Sequence, residues 1–187
     1  MSNRGYSFES ETEGYFLELE GKTRQDPILD GHGKLLRSFR VPTSGMMASF
    51  PGDVITANPK FPTQFMVECK ARYDMTKKNG QVFRLDPGWV TKNLTEARAA
   101  AYLPLFMLSF KRQKKDRIWI ILDQEVFNLF DSPSTLATAA TYTYKMDKKL
   151  KHKILVKKDL KPPLMKLDEW ALLSFDKFKE YIQQWTK

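Results

Sequence analysis

The feature that most constrains the fold is the stretch from Phe65 to Arg72, FMVECKAR. Side chains of a β-strand alternate between the two faces of a sheet. One face of this predicted strand is apolar, and we expect it to lie in the core: Phe65, Val67, Cys69 and Ala71. The other face carries Glu68 two residues before Lys70. The strand therefore places a carboxylate and an ammonium group side by side.

A second carboxylate, Asp53, opens a short apolar run at residues 54–55, fifteen residues before Glu68. The connection between the run and the strand contains two prolines and suits a loop. If the short run pairs with the strand, Asp53 comes close to Glu68. Two such carboxylates beside a lysine form a site for a hard divalent cation. The lysine can then hold or polarise a water that attacks a phosphate.

This motif has a competing interpretation, an edge strand with a solvated Glu68–Lys70 pair, because Asp followed by E-x-K arises often by chance. Three flanking features favour the catalytic interpretation. A helix start with the pattern G-x-x-x-E lies at residues 5–9, and the segment RVPTSG lies at residues 40–45. A predicted helix and then a pair of strands follow Lys70.

Together these features, over roughly residues 3–127, resemble the archaeal-type Holliday junction resolvases, which belong to the PD-(D/E)XK nucleases. In that family a G-x-x-x-E helix start, an R-x-P-x-S segment, a PD strand and an E-x-K strand follow in this order. The resemblance implies an α/β (α+β) fold of the restriction-endonuclease-like type, with a mixed central β-sheet flanked by helices. It also implies a metal-dependent homodimer that cuts four-way DNA junctions.

The resemblance implies four oxygen donors for a metal: the carboxylates of Glu9, Asp53 and Glu68 and the backbone carbonyl of Cys69. Oxygen ligands suit Mg²⁺, with Mn²⁺ able to substitute, and argue against zinc. Glu13 lies one helical turn after Glu9 on the same side and is the alternative ligand. The Cys69 side chain falls on the core face, so we predict a buried small residue and not a nucleophile.

Three further roles follow from the resemblance: Lys70 as the catalytic lysine, Ser44 as an active-site serine near the scissile phosphate, and Arg40 as a DNA contact. The sequence departs from the family pattern in several places. Residues 21–33 look like an insertion, a glycine separates proline from aspartate in the PD motif, and the loop before the E-x-K strand is slightly long. The region after about residue 130 has no counterpart in that family.

The charge of the chain narrows the class of partner. It contains 31 Lys and Arg residues against 22 Asp and Glu, a net charge of +9. A basic chain suits a polyanionic partner, either nucleic acid or a membrane surface. No apolar run approaches the ~20 residues that cross a bilayer, and the N-terminus lacks the apolar core of a signal peptide. The chain contains one cysteine, which fits a reducing compartment. We therefore expect a cytoplasmic protein that associates with DNA and does not bind a membrane.

The remaining patterns of the first 130 residues predict two helices and three strands. The predicted elements are a helix from Ser7 as N-cap to Glu20, a strand over 35–41, a helix from 86 to about 102, and strands over 105–110 and 118–122. The turn between the last two strands is strongly basic. We expect it to contact DNA phosphates through Lys111, Arg112, Lys114, Lys115 and Arg117. The competing interpretation is a charged, solvated turn.

We divide the chain at about residue 130, into a nuclease core over 1–130 and a basic C-terminal extension over 131–187 that packs on it. The extension contains possible strands at 141–144 and 154–156, a lysine-rich segment over 145–161, and a last helix with Ser174 as its N-cap. A lysine run is usually a solvated face, but in a DNA-binding protein it can also serve as an auxiliary clamp.

The leading hypothesis is an endonuclease that resolves four-way DNA junctions by paired phosphodiester hydrolysis. A restriction-type or repair endonuclease of the same fold, acting on duplex or branched DNA, would use the same residues. A non-catalytic DNA-binding protein is the alternative from another class, and it would require a degraded motif, whereas this motif is intact.

Overall fold

The fold is seen in a computed structural model that describes residues 4–42, 51–57, 64–72, 82–85, 87–110, 118–129, 154–157, 164–167 and 170–184. In chain order these residues form α1 (Arg4–Glu20), β1 (Phe39–Arg40), β2 (Val54–Ile55), β3 (Phe65–Arg72), β4 (Val82–Leu85), α2 (Pro87–Ala99), β5 (Leu103–Phe110), β6 (Ile118–Asp123), α3 (Gln124–Phe127), β7 (Ile154–Lys157), β8 (Leu164–Leu167), β9 (Trp170–Ser174) and α4 (Phe175–Gln184).

A mixed sheet of seven strands, in the order β1-β2-β3-β5-β6-β9-β8, forms the centre of the described chain. The pair β3–β5 is parallel, and α2 lies in the crossover between these two strands. The other neighbouring pairs of this sheet are antiparallel. β4 and β7 form a separate antiparallel pair. The predicted mixed central sheet with flanking helices is thus confirmed.

Helices cover both faces of the sheet. On one face, Phe16 of α1 and Phe178 of α4 pack with Phe65 in the larger hydrophobic core. On the other face, Met66 is fully buried and packs in a second cluster with Ala97 of α2. The alternation of β3 predicted only the first of these faces as core. Parallel strands with helices on both sides are buried on both faces, which explains why Met66 is apolar.

Two local predictions in the first forty residues are wrong. α1 begins at Arg4, so Ser7 lies inside the helix and cannot be its N-cap. The strand predicted over 35–41 is confined to Phe39–Arg40. The reason is that Ser38 turns its backbone N–H to the Glu20 carboxylate, at 2.7 Å, instead of to a neighbouring strand.

The predicted insertion over 21–33 is fastened to α1 and to the segment before β1. Arg24 donates to the Glu13 carboxylate at 2.9 Å and to the backbone carbonyl of Ser10 at 2.6 Å. The buried Arg37 donates to the carbonyls of Asp26 and Ser38 and to Glu13. Because these bonds join the loop to the helix, the insertion supports the position of α1.

The C-terminal segment 164–184 belongs to the same sheet and core, since β9 pairs with β6, β8 pairs with β9, and α4 packs in the larger core. The Ser174 hydroxyl accepts the N–H of Lys177 at 3.3 Å, which confirms it as the N-cap of α4. The predicted strand at 154–156 is present as β7. Residues 141–144, and all of the lysine-rich segment except β7, lie outside the described residues. The division at residue 130 stays a prediction.

None of the described helices combines the length and apolar character that a bilayer-spanning helix needs.

Candidate active site

The pairing of β2 with β3 brings the two predicted carboxylates together. Val54 lies opposite Val67 in this antiparallel pair, so the preceding Asp53 comes opposite Glu68. The backbone N–H of Asp53 continues the pairing, donating to the carbonyl of Val67 at 2.9 Å. The predicted contact of the short run with the E-x-K strand is confirmed.

The glycine inside the proline–aspartate motif has a steric reason. Gly52 has a φ of +86°, in the left-handed region that favours glycine. A Cβ at this position would lie 2.7 Å from the Cγ of Met66 and 3.2 Å from the carbonyl oxygen of Val67. The chain therefore needs glycine here to enter β2 close to β3 and to place Asp53 at its position.

Asp53 is a buried carboxylate that β3 holds in place. Its Oδ2 accepts the backbone N–H of Cys69 at 2.7 Å, and the residue is only 6% exposed. Burial, followed by the nearby charge of Glu68, raises the pKa of Asp53 to about 6, although the Cys69 N–H and the Lys70 ammonium group act in the opposite direction. The site thus holds a carboxylate in surroundings where its negative charge is poorly compensated.

Glu68 and Lys70 form an ion pair on the face of β3 that also carries Met66, with the lysine Nζ in hydrogen-bonding contact with Oε1 of the glutamate. Both side chains are about a quarter exposed, at 22% and 27%. The ring of Trp89, in the first turn of α2, lies near the same ammonium group, with its centroid 5.7 Å from Nζ. A helix from the crossover therefore borders the catalytic candidates.

Glu9 of α1 reaches the same region. Burial raises the pKa of Glu9, the charges of Arg40 and Lys70 lower it, and the charge of Glu68 raises it. These interactions place Glu9 in the electrostatic neighbourhood of the Glu68–Lys70 pair. Glu13, the alternative ligand, instead pairs with Arg24 and Arg37.

Arg40 lies in β1, directly beside the strand that follows Asp53. It is the register partner of Val54, and Val41 donates its N–H to the carbonyl of Asp53 at 2.9 Å. The first part of the R-x-P-x-S segment is therefore adjacent to the PD strand in space, and Arg40 carries its positive charge toward Glu9.

Cys69 joins α1 to β3. Its thiol donates to the hydroxyl of Thr12 at 3.4 Å, and both residues are buried. Burial raises the pKa of the Cys69 thiol well above its usual range, so a thiolate is disfavoured. The prediction that Cys69 is buried is confirmed, and its raised pKa agrees with the prediction that it is not a nucleophile. The contact also fixes the helix that carries Glu9 against the strand that carries Glu68.

Several predicted site residues lie outside the described residues: Ser44, Lys111, Arg112, Lys114, Lys115 and Arg117. One described residue of the site, Trp89, was not predicted. It lies 19 residues after Lys70 in the sequence, and no motif that we identified has this spacing. The only available signal was the predicted helix start at 86–87, which puts Trp89 in a first turn near the sheet.

The chemistry of the donors fits a hard divalent cation, because the carboxylates of Asp53, Glu68 and Glu9 and the Cys69 carbonyl all offer oxygen. Within the part of the chain that the structure describes, no three acidic, histidine or cysteine residues already stand close enough to hold an ion together. Glu68 is bound to Lys70, and Asp53 accepts the Cys69 N–H. Each of these carboxylates has a second oxygen that could bind an ion.

An aspartate opposite an E-x-K strand, with a helical glutamate nearby and helices on both faces of a mixed sheet, is the arrangement of a PD-(D/E)XK nuclease. A family model described as a phage putative PDDEXK endonuclease matches residues 2–180. The chain belongs to this family, and thus to the PD-(D/E)XK nucleases, which act on DNA and generally use divalent metal ions. The match supports the superfamily and not the archaeal-type junction resolvases in particular. Neither a curated protein nor a solved structure matches the chain significantly.

Proposed function

We propose that this protein is a Mg²⁺-dependent, structure-selective DNA endonuclease that resolves four-way junctions by paired phosphodiester hydrolysis. The observation that carries the proposal is the pairing of β2 with β3, which sets Asp53 opposite Glu68 with Lys70 beside it. The proposed action on four-way junctions is supported by the order of the motifs and by the pairing of Arg40 with the strand that follows Asp53.

The metal would be held by the carboxylates of Asp53, Glu68 and Glu9 and by the backbone carbonyl of Cys69. Burial and, to a smaller extent, the charge of Glu68 raise the pKa of Asp53 and of Glu9, which supports this assignment because a divalent cation compensates poorly solvated negative charge. When bound, such an ion stabilises charge on the phosphate and lowers the pKa of its water. Mn²⁺ is expected to substitute for Mg²⁺.

The remaining steps belong to the side chains of the chain itself. The Lys70 ammonium group orients the attacking water and stabilises the negative charge that develops on the phosphate. Arg40 supplies a second positive charge, which we assign to the DNA backbone, and Ser44 is assigned to the scissile phosphate. Asp53 is held rigidly by the Cys69 N–H, so it is preorganised for its role.

The experiment that tests this function compares a four-way junction with linear duplex, a flap and single strands, with and without Mg²⁺. We expect junction cutting by the wild type that requires Mg²⁺, and junction binding without it. Asp53→Asn and Glu68→Gln should abolish cutting and keep binding. The matched control is Glu125→Gln, an exposed glutamate paired with Arg98, which should cut like the wild type. Wild-type turnover by both site variants would refute the site assignment.

A second candidate is a general or repair endonuclease of the same fold. It is favoured by the matched family, whose description specifies an endonuclease without a junction substrate. The same assay separates the two candidates. Equal cutting of linear duplex and junction would support the second candidate, whereas preference for the junction supports the first.

A further inference from the structure

The Lys70 ammonium group has two neighbours of different kinds. It pairs with the Glu68 carboxylate, and the indole ring of Trp89 lies with its centroid 5.7 Å from the lysine Nζ. A cation within about 6 Å of an aromatic centroid is attracted by the negative face of the ring, and tryptophan gives the strongest attraction. The lysine therefore has an ionic partner and an uncharged one.

The position of Trp89 is set by the packing of α2 on the sheet. Asn93, one turn further along the helix, is buried and directs its amide toward the carbonyl of Met66 at 3.5 Å. Ala97, another turn on, is fully buried in the cluster that contains Met66. Because these residues fix the helix against β3, the position of the half-buried ring does not depend on Glu68.

A conflict arises at Glu68 when the protein acts on DNA. In the function proposed above, Glu68 binds a divalent cation, so its negative charge is shared between the ion and Lys70. The ammonium group is then held less strongly by the carboxylate and is repelled by the positive ion. Catalysis nevertheless requires Lys70 to stay in the site.

We propose that Trp89 is a positioning residue that holds the Lys70 ammonium group in the site when a divalent cation occupies Glu68. The indole ring suits this task because it carries no formal charge. It does not compete for the cation, and it leaves the positive charge of the lysine available to the phosphate. This inference rests on the proposed nuclease function, and it concerns the side chain that supports the lysine.

The kinetic test compares Trp89→Phe, which keeps an aromatic face, with Trp89→Leu, which keeps apolar packing without one. We expect Trp89→Leu to lower kcat roughly 3- to 10-fold with KM unchanged, because only the placement of Lys70 is affected. Trp89→Phe should recover most of the rate. Tyr102→Leu removes another ring that packs beside Ala97 and should leave kcat unchanged.

A second readout does not depend on cutting. In protein with ¹³C-labelled lysine, NMR reports the ε-methylene of Lys70, assigned with the Lys70→Met variant. A ring current from Trp89 should shift this signal upfield, both without metal and with Mg²⁺, and Trp89→Leu should remove the shift. An intermediate shift is expected for Trp89→Phe.

The outcomes separate the inference from the proposed function. If Lys70→Met abolishes cutting while Trp89→Leu has the wild-type kcat, or if the Lys70 signal in Mg²⁺ is the same with and without the ring, the role of Trp89 is wrong and the nuclease stands. If the wild type cuts no DNA, the proposed function is wrong, and the NMR result still decides whether Trp89 holds the lysine. A fall in kcat together with the lost shift supports the inference.

Discussion

The backbone N–H of Cys69 donates a hydrogen bond of 2.7 Å to the carboxylate of Asp53, from one strand of the sheet to the next. This bond fixes the orientation of a carboxylate that is almost fully withdrawn from water. The hydrogen bond and the charge of Lys70 do not compensate the burial, since the pKa of Asp53 is still raised to about 6. The protein thus keeps a group at its candidate site that lowers stability when it is ionised.

Asp53→Asn should therefore stabilise the metal-free protein at pH 8. A carboxyl group whose pKa is higher in the folded than in the unfolded state contributes fully to the stability of the folded protein below about pH 4. This contribution is lost as the pH rises through about 6. Asparagine has no such charge, and its oxygen can still accept the Cys69 N–H. We expect a gain on the order of 1–3 kcal/mol in the free energy of unfolding at pH 8, measured by denaturant titration.

The control for this prediction is the pH itself. At pH 4 Asp53 is largely protonated in the folded state, so the variant and the wild type should have nearly equal stability. Mg²⁺ at pH 8 should raise the melting temperature of the wild type more than that of the variant, because binding to the folded state stabilises it. A loss of stability at pH 8, or an equal difference at both pH values, would contradict the prediction.

Substitution of Glu9 should affect mainly the cutting activity, whereas substitution of Glu13 should affect mainly the stability. Glu9→Gln should lower cutting roughly tenfold or more, since losing a ligand costs at least as much as losing an outer-shell support. Its stability should not fall, because burial disfavours the charge of Glu9 and glutamine removes that charge. Glu13→Gln should instead reduce stability by about 1–3 kcal/mol, because it weakens the partner of the buried Arg37. The reverse pattern in the two assays would move the ligand to Glu13.

Gly52→Ala should damage the entry into β2. The added Cβ would meet Met66 at 2.7 Å, and the positive φ disfavours any L side chain. We expect a loss of about 1–3 kcal/mol in the free energy of unfolding and a fall in cutting, because Asp53 follows directly. Gly31→Ala is the control, since nothing lies within 4 Å of its added Cβ. Equal stability of the two variants would show that the strain at Gly52 is not real.

The parts of this site that were predictable from sequence are those that depend on short-range rules. Strand alternation placed Glu68 and Lys70 on one side, and pairing of the short apolar run placed Asp53 opposite them. The buried Cys69 followed from the same alternation. In each case the position of a side chain depends on its own strand or on the adjacent strand.

The parts that were not predictable depend on distant partners. The strand over 35–41 was shortened because Ser38 bonds to Glu20, which lies 18 residues earlier. Strands β8 and β9 were not predicted because β9 joins the sheet by pairing with β6, some 50 positions earlier in the chain, and β8 joins it only through β9. Trp89 reaches Lys70 only through the docking of α2, which no local pattern encodes. The length of β1, the positions of β8 and β9 and the placement of Trp89 therefore depend on long-range packing, which local sequence patterns do not predict.

The basic turn predicted at residues 111–117 should contribute phosphate contacts. Replacing Arg112, Lys114 and Lys115 together by glutamine should weaken junction binding and lower the slope of log K against log salt by about 2 to 3, since each lost contact releases roughly 0.9 fewer counterions. The rate at saturating DNA should change little. The control neutralises three other lysines to the same extent: Lys22, Lys177 and Lys179. If the turn variant and the control variant lower the slope equally, the basic turn acts only through net charge.

The most specific prediction is that a homodimer cuts both strands of a junction within one encounter. A four-way junction has two symmetry-related strands, and a two-fold dimer carries two equivalent sites at a fixed separation. A chain with one candidate site, formed around Asp53, Glu68 and Lys70, cannot make both cuts as a monomer in one encounter. A supercoiled plasmid with an extruded cruciform should therefore give linear product directly. Independent cuts would first accumulate nicked circles.

Mixing wild type with excess Asp53→Asn subunits provides the decisive control. If the active species is a dimer, most wild-type subunits then have an inactive partner, and the product changes from linear DNA to nicked circles. If monomers cut independently, inactive subunits compete for junctions and slow the reaction, but the ratio of products at early times is unchanged. A monomer by sedimentation both in solution and on the junction, or linear DNA as the main product in the mixture, would reduce the protein to a nuclease that nicks one strand at a time.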